Sequence, residues 1–187
     1  MAKNWNSISL EKQRIRIKQR KLRQSLGKEY RISASNTIGR LLIAHIKHNQ
    51  CIGLYYPIHD EVDLIQCAKN LFKLCEVGLP SIKQNTMVFR QWSHSTELVL
   101  NRRSIPEPDP EKNRVITPQV IIIPVVGFDK RCHRLGYGGG FYDRFLQSSS
   151  AIKIGIAFAA QEVEVLPIEQ HDIKMDYIIT EHGVINS

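Results

Sequence analysis

No apolar run in this sequence comes near the roughly 18–20 residues that span a bilayer. The N-terminus, MAKNWNSISLEKQRIRIKQRK, also lacks the apolar stretch of a secretory signal. A soluble, cytoplasmic protein is therefore expected. The four cysteines (Cys51, Cys67, Cys75, Cys132) form no C-x-x-C pair and are too sparse for a disulfide framework, which suits a reducing compartment. The histidines compose no metal site: His45 and His48 lack a third partner, and His133 beside Cys132 has no zinc-like spacing. Nothing matches a serine hydrolase elbow, a Walker A loop or the G-x-G-x-x-G fingerprint, in which Phe141 would occupy the place of the third glycine. There is no internal repeat and no low-complexity tract.

Positive charge is present, but in one place. Residues 1–31 hold ten lysines and arginines against Glu11 and Glu29, which accounts for the whole formal net charge of +8. The remaining residues carry sixteen basic and sixteen acidic side chains, so the body of the protein is neutral. Ile8, Ile15, Leu22 and Leu26 recur at near-heptad spacing, and the segment from about 8 to 31 is predicted to be a basic helix with a narrow apolar stripe. A solvated face is the commonest reason for such a charge run; a site for phosphates or nucleic acid is the alternative.

At 187 residues, 42% of them hydrophobic, the chain is long enough for one ordinary core, so a single domain over 1–187 is expected. Ser33 or Ser35 is placed to cap a second helix through Ile38, Leu41, Leu42 and Ile46. A strand over Cys51–Tyr56 stops at Pro57, and the acids of HDEVD then precede a helical pattern from Val62 to Cys75. Strands are predicted near 77–80 and 87–92, followed by a proline-rich loop with little regular structure. VIIIP, residues 120–124, reads as a central strand covered on both faces. A loop, a helix opening near Gly140, the strand KIGIAFAA and a last strand in MDYIITEHG complete the chain. This alternation predicts an α/β fold, a doubly wound and mostly parallel sheet flanked by helices in three Rossmann-like layers.

The stretch RLGYGGGFYDR, residues 134–144, lies between the best strand and a helix start, where open α/β sheets bind ligands. Its glycines let a ligand approach main-chain N–H groups that converge on an anion, and Arg134 and Arg144 add charge of the matching sign. Phosphate binding is favoured over a plain tight turn. Asp143 has two readings, a helix-dipole partner or a ligand to Mg²⁺ beside phosphates.

PVVGFDKRCHRLGYGGGFYDRFL resembles the signature of the 5-formyltetrahydrofolate cyclo-ligase (methenyltetrahydrofolate synthetase) family. KQRIR, YYPIHDEVD, IPEP and HDIKMDYIITE resemble further blocks of that family, in family order over nearly the whole chain. The sequence departs from the pattern at Val125, usually glycine, at Phe141, often tyrosine, and at Gly139, lysine in some members. The resemblance implies an ATP- and Mg²⁺-dependent ligase. It would convert 5-formyltetrahydrofolate to 5,10-methenyltetrahydrofolate by phosphorylation of the formyl oxygen and attack by N10, with ADP and phosphate released. Carried over by position, Lys12, Arg16 and the stretch Arg134, Leu135, Gly136, Tyr137, Gly138, Gly139, Gly140, Phe141 and Tyr142 bind ATP. Tyr56 and Glu61 meet the folate, with Tyr137 to Phe141 shared between the two ligands. Arg134 and Tyr142 are the candidate catalytic groups, and Asp143 and Asp176 match the magnesium carboxylates. The implied partners are these small molecules, with no membrane and no nucleic acid, and the implied state is a monomer. The rivals are an RNA-binding protein that uses the basic helix, and another ATP-dependent enzyme on the same scaffold.

Overall fold

The uninterrupted apolar segment Val120–Pro124 forms the strand from which the sheet grows in both directions. In the computed structural model, which describes residues 2–84 and 86–187, the helices are α1 (Ala2–Ser25), α2 (Lys28–His45), α3 (Ile65–Leu74) and α4 (Phe141–Leu146). The strands are β1 (Cys51–Gly53), β2 (Glu76–Lys83), β3 (Thr86–Trp92), β4 (Leu98–Leu100), β5 (Pro106–Pro108) and β6 (Val115–Ile116). They continue as β7 (Val120–Pro124), β8 (Gly127–Phe128), β9 (Arg134–Leu135), β10 (Ile152–Ile156), β11 (Tyr177–Thr180) and β12 (Gly183–Asn186).

Eight strands form one sheet in the order β12-β11-β10-β7-β1-β2-β3-β6. The five from β11 to β2 run parallel, while β12, β3 and β6 are antiparallel additions at the edges. From β1 the chain winds outward through β2; from β7 it winds the other way through β10 and β11. The reversal between β1 and β7 opens a crevice beyond their carboxyl ends, the place where doubly wound sheets accept ligands.

Along β7 the side chains alternate between two cores, as period-2 geometry requires. Val120 and Ile122 join the face covered by α2 and α3, and Ile121 and Ile123 the face covered by α4. Each fully buried isoleucine contributes about 1.5–3 kcal/mol, so this strand anchors both layers. The expected three-layer, mostly parallel architecture is the one observed.

Several local expectations change. The basic helix does not run from 8 to 31: it ends at Ser25, Gly27 is extended (φ −58°, ψ 149°), and α2 starts at Lys28, ahead of both Ser33 and Ser35. Ser35 is buried inside α2, where its Oγ accepts the Asp63 N–H at 3.1 Å instead of capping a helix. The expected strand 51–56 pairs as β1 only through Gly53; one more bond follows, Leu54 N to Gly78 O, before Tyr55 and Tyr56 reach the cleft. The proline-rich loop is better ordered than its composition suggests. Buried Glu107 accepts from Ser81 Oγ, Ile82 N and Asn101 Nδ2 at 3.0–3.1 Å, fastening β5 to β2.

Candidate active site

A cleft of about 610 Å³ opens at the β1/β7 reversal, with Tyr55 and Tyr56 beyond β1, Pro124 at the end of β7 and the glycine loop forming one wall. That loop is held from below. β8 and β9 form a short hairpin whose turn wraps around the Asp129 carboxylate, which is wholly buried. Asp129 accepts N–H groups from Arg131, His133 and Leu166 at 3.0–3.2 Å and also the Arg131 and His133 side chains. Burial alone would raise its pKa, but these hydrogen bonds outweigh burial and hold it below the ordinary carboxylate value. Asp129 therefore shapes the loop without entering the cleft. Beyond it, Gly138 (φ 95°) and Gly140 (φ 65°) take left-handed conformations that other residues adopt only under strain, and α4 starts at Phe141.

Each acid around the loop is paired with a base. Arg134 Nη2 donates to Asp143 Oδ1 at 2.6 Å, and the Ile173 N–H reaches the same oxygen at 3.3 Å. Lys12 Nζ sits between Glu169 Oε2 at 2.7 Å and Asp172 Oδ2 at 2.5 Å. Arg16 Nε donates to the Gly136 carbonyl at 2.8 Å, and its guanidinium packs under Gly138. Burial draws the Arg16 pKa down against the opposing pull of Asp172 and Glu169. Phe141 lies between two guanidinium groups, Arg103 at 4.3 Å and Arg144 at 4.8 Å from its ring centroid.

The surroundings of Glu61 have a different character. Glu61 is 7% exposed; its Oε2 accepts the Ile58 N–H at 2.9 Å, while Oε1 has no partner. Burial raises its pKa, partly countered by the Ile58 N–H, by Arg23 and by Tyr137. Tyr137 is pushed up to about 12 by burial and by Glu61; Tyr142 is also raised, for the same two reasons. Tyr55 is buried and donates its hydroxyl to Val62 O at 2.6 Å.

α1 explains how basic groups reach this interior. Among the described residues its buried side chains are Lys12, Gln19 and Arg23, one face at helical spacing with half-buried Arg16 between them. The narrow apolar stripe Ile8, Ile15, Leu22 and Leu26 is only half-buried. The reason is position: α1 lies along the cleft and the β8 hairpin, not on the sheet.

The family model for the 5-formyltetrahydrofolate cyclo-ligase family matches residues 8–181. The chain belongs to the 5-formyltetrahydrofolate cyclo-ligase family. It is 30% identical over 177 residues to the 5-formyltetrahydrofolate cyclo-ligase of Haemophilus influenzae, covering 88% of this chain and 95% of that protein. The Escherichia coli K12 protein of the same name is 33% identical over 139 residues, 69% of this chain and 76% of its own. The solution structure of Aquifex aeolicus 5,10-methenyltetrahydrofolate synthetase superposes with a TM-score of 0.84 at 30% identity, covering 94% of this chain and 92% of that one.

The cleft brings together Lys12, Arg16, Tyr56, Glu61 and every residue from Arg134 to Asp143. It does not include Asp176. That carboxylate stands just before β11, at the amino ends of the parallel strands, where its Oδ2 accepts from Lys153 N at 2.7 Å and pairs with Lys153 Nζ at 2.9 Å. Besides Glu61, the acids that share the cleft with Asp143 are Glu169 and Asp172. Asp172 lies in the quoted block HDIKMDYIITE four residues before Asp176, so the motif offered two aspartates and spacing alone did not choose between them. Arg103 and Arg23 carry no distinguishing signal in the sequence, Arg103 standing just ahead of the proline-rich loop and Arg23 within a run of similar charges.

Proposed function

We propose that this chain catalyses the ATP-dependent conversion of 5-formyltetrahydrofolate to 5,10-methenyltetrahydrofolate, releasing ADP and phosphate. The observation that carries the reading is one cleft with two unlike ends, basic side chains around a bare glycine loop at one and a buried carboxylate with an open acceptor at the other. Main-chain N–H groups of residues 136–140, with Lys12, Arg16 and Arg134, suit a triphosphate. Glu61, which as a carboxylate only accepts hydrogen bonds, suits the N–H edge of a pteridine, with Tyr56 beside it. Tyr137 to Phe141 lie between the two ends and serve both ligands.

The chemistry asks mainly for positioning. A formyl oxygen is a poor leaving group until it carries a phosphoryl group; N10 then attacks the formyl carbon, and the oxygen departs with phosphate. Holding the formyl oxygen in line with the γ-phosphoryl group, and neutralising charge on its oxygens, is work for Arg134 and the loop. Tyr142, its phenol kept neutral by burial and by Glu61, provides a proton-bearing hydroxyl within electrostatic reach of both Glu61 and Arg134.

Mg²⁺ fits the hard oxygen donors of this end. Asp143 would hold it: both of its hydrogen bonds fall on Oδ1, leaving Oδ2 directed to neither. When bound, Mg²⁺ neutralises phosphate charge. Asp176 does not fit the same ion, because it lies outside the cleft. The four free cysteines suit a reducing cytoplasm, and we take the protein to act there as a monomer.

The test is spectroscopic. Purified protein with 5-formyltetrahydrofolate, Mg²⁺ and ATP should generate the near-ultraviolet absorbance of the methenyl product, and leaving out ATP should abolish it. A flat trace from folded protein that binds RNA tightly and in a salt-sensitive manner would favour the RNA-binding alternative instead.

A further inference from the structure

Arg23 is 3% exposed and does not line the cleft, yet it stands directly behind it. Its Nη2 donates to the Tyr137 hydroxyl at 2.6 Å, and its guanidinium lies 5.8 Å from the Tyr137 ring centroid. Among the described residues no carboxylate comes within ion-pair distance of it, and its Nε is buried without a partner. Glu61 presents the mirror image, a buried carboxylate whose Oε1 has no donor. Two opposite charges are thus buried near each other with Tyr137 between them, each keeping one polar atom unsatisfied. A buried orphan atom costs about 1–3 kcal/mol. Of the two, Glu61 lines the cleft, so a ligand there can supply the donor that Oε1 lacks, with Arg23 behind it.

We infer that Arg23 is a positioning residue that, through Tyr137, holds the Glu61 carboxylate as an acceptor for the N–H groups of the folate's pteridine. The inference rests on the folate reading given above. The hydroxyl of Tyr137 accepts from Arg23, so its own proton is turned away from the guanidinium and is available to the Glu61 carboxylate, whose charge Tyr137 and Arg23 both feel. The groups that face Glu61 are Arg23 from α1, Tyr137 from the glycine loop, Tyr142 from α4 and Tyr55 from the segment after β1. The three phenols are all raised and stay neutral near pH 7, so Arg23 supplies the positive charge that opposes the effect of burial. Without it the carboxyl would take up a proton at higher pH, and a protonated carboxyl offers an O–H where the pteridine also offers N–H.

The experiment measures the Kd of 5-formyltetrahydrofolate, and separately of a non-hydrolysable ATP analogue, between pH 6 and pH 9. It uses wild type, Arg23→Gln, Arg23→Lys, Glu61→Gln and the double variant Arg23→Gln/Glu61→Gln, with melting curves for each. Arg23→Gln should weaken folate binding by roughly tenfold at neutral pH, the deficit widening as pH falls, while the ATP analogue Kd moves less than about twofold. Arg23→Lys should keep its pH profile near the wild-type position. In the double variant the Arg23 change should add less than about twofold to Glu61→Gln, because no carboxylate is left to hold. A pH-independent deficit, equal losses for folate and nucleotide, or additive effects would overturn the inference. If Arg23→Gln does not fold, Arg23→Lys decides alone: a profile displaced to higher pH despite the retained charge overturns it. Wild type that fails to bind folate overturns the parent reading, whereas wild type that binds while Arg23→Gln matches it overturns only this one.

Discussion

The two ends of the cleft solve opposite problems. At the glycine loop each acid already has a base, Asp143 with Arg134 and both Glu169 and Asp172 with Lys12, all at 2.5–2.7 Å. At the far end Glu61 and Arg23 are buried without an ion-pair partner, and each retains an unsatisfied atom. A nucleotide that takes up Lys12 or Arg134 at the first end must draw them from these acids, so its net gain from either is a difference between two good interactions. A ligand arriving at the second end finds Glu61 Oε1, a cleft-lining acceptor with no donor to give up, and gains the whole of that contact.

The comparison can be broken by mutation. The largest effect is expected from Arg134→Ala. It removes a phosphate contact and strands Asp143, so kcat/KM for ATP should fall by about 10²–10³-fold. The Arg134 side chain is only 5% exposed, so the melting temperature should drop as well. Next is Glu61→Gln, for which steady-state kinetics should show the folate KM raised by about ten- to a hundredfold, with a smaller change for ATP. Equal changes for both substrates would erase the distinction between the ends.

Asp129→Asn tests whether the loop is shaped from beneath. Urea unfolding should show a loss of about 2–4 kcal/mol, with activity reduced through the disordered loop. Because hydrogen bonds depress the Asp129 pKa, its stabilisation is present above the unfolded carboxylate pKa and is lost as pH falls through the lower folded value. The variant should lack that acid limb. Gly138→Ala forces a side chain to φ 95° and sets its Cβ 3.4 Å from Arg16 Cζ. About 1–2 kcal/mol of stability should be lost, with a severalfold rise in ATP KM.

The smallest effect sharpens the same contrast through pH. Glu61 has a raised folded pKa, so the native state binds more protons than the unfolded chain between the ordinary glutamate value and the raised one. Wild-type stability should therefore decline relative to Glu61→Gln as pH rises through that window. A difference that stays constant with pH would mean that burial does not perturb this carboxyl.

The parts of the fold that were legible in the sequence are those set by local pattern. The apolar run 120–124 marked the central strand, and the glycines of 136–140 marked the turn into α4. The blocks that resemble the family also carried the cleft, since every position from Arg134 to Asp143 lines it. What stayed hidden depends on contacts distant in sequence. Ile8, Ile15 and Leu22 form the obvious stripe of α1, but the helix buries Lys12, Gln19 and Arg23, because the groups that receive them come from residues 127–172. Asp172 and Asp176 look alike in the chain; Lys12 meets one and Lys153 the other. Glu107 reads as a loop acid until β2 is seen to supply its donors.

A crystal structure with a non-hydrolysable ATP analogue and 5-formyltetrahydrofolate bound together tests the central claim most directly. We predict the terminal phosphates against the main-chain amides of residues 136–140 and the pteridine N–H edge against Glu61, the formyl group between them. Phosphates seated away from that loop, or a pteridine that leaves Glu61 Oε1 without a donor, would contradict it.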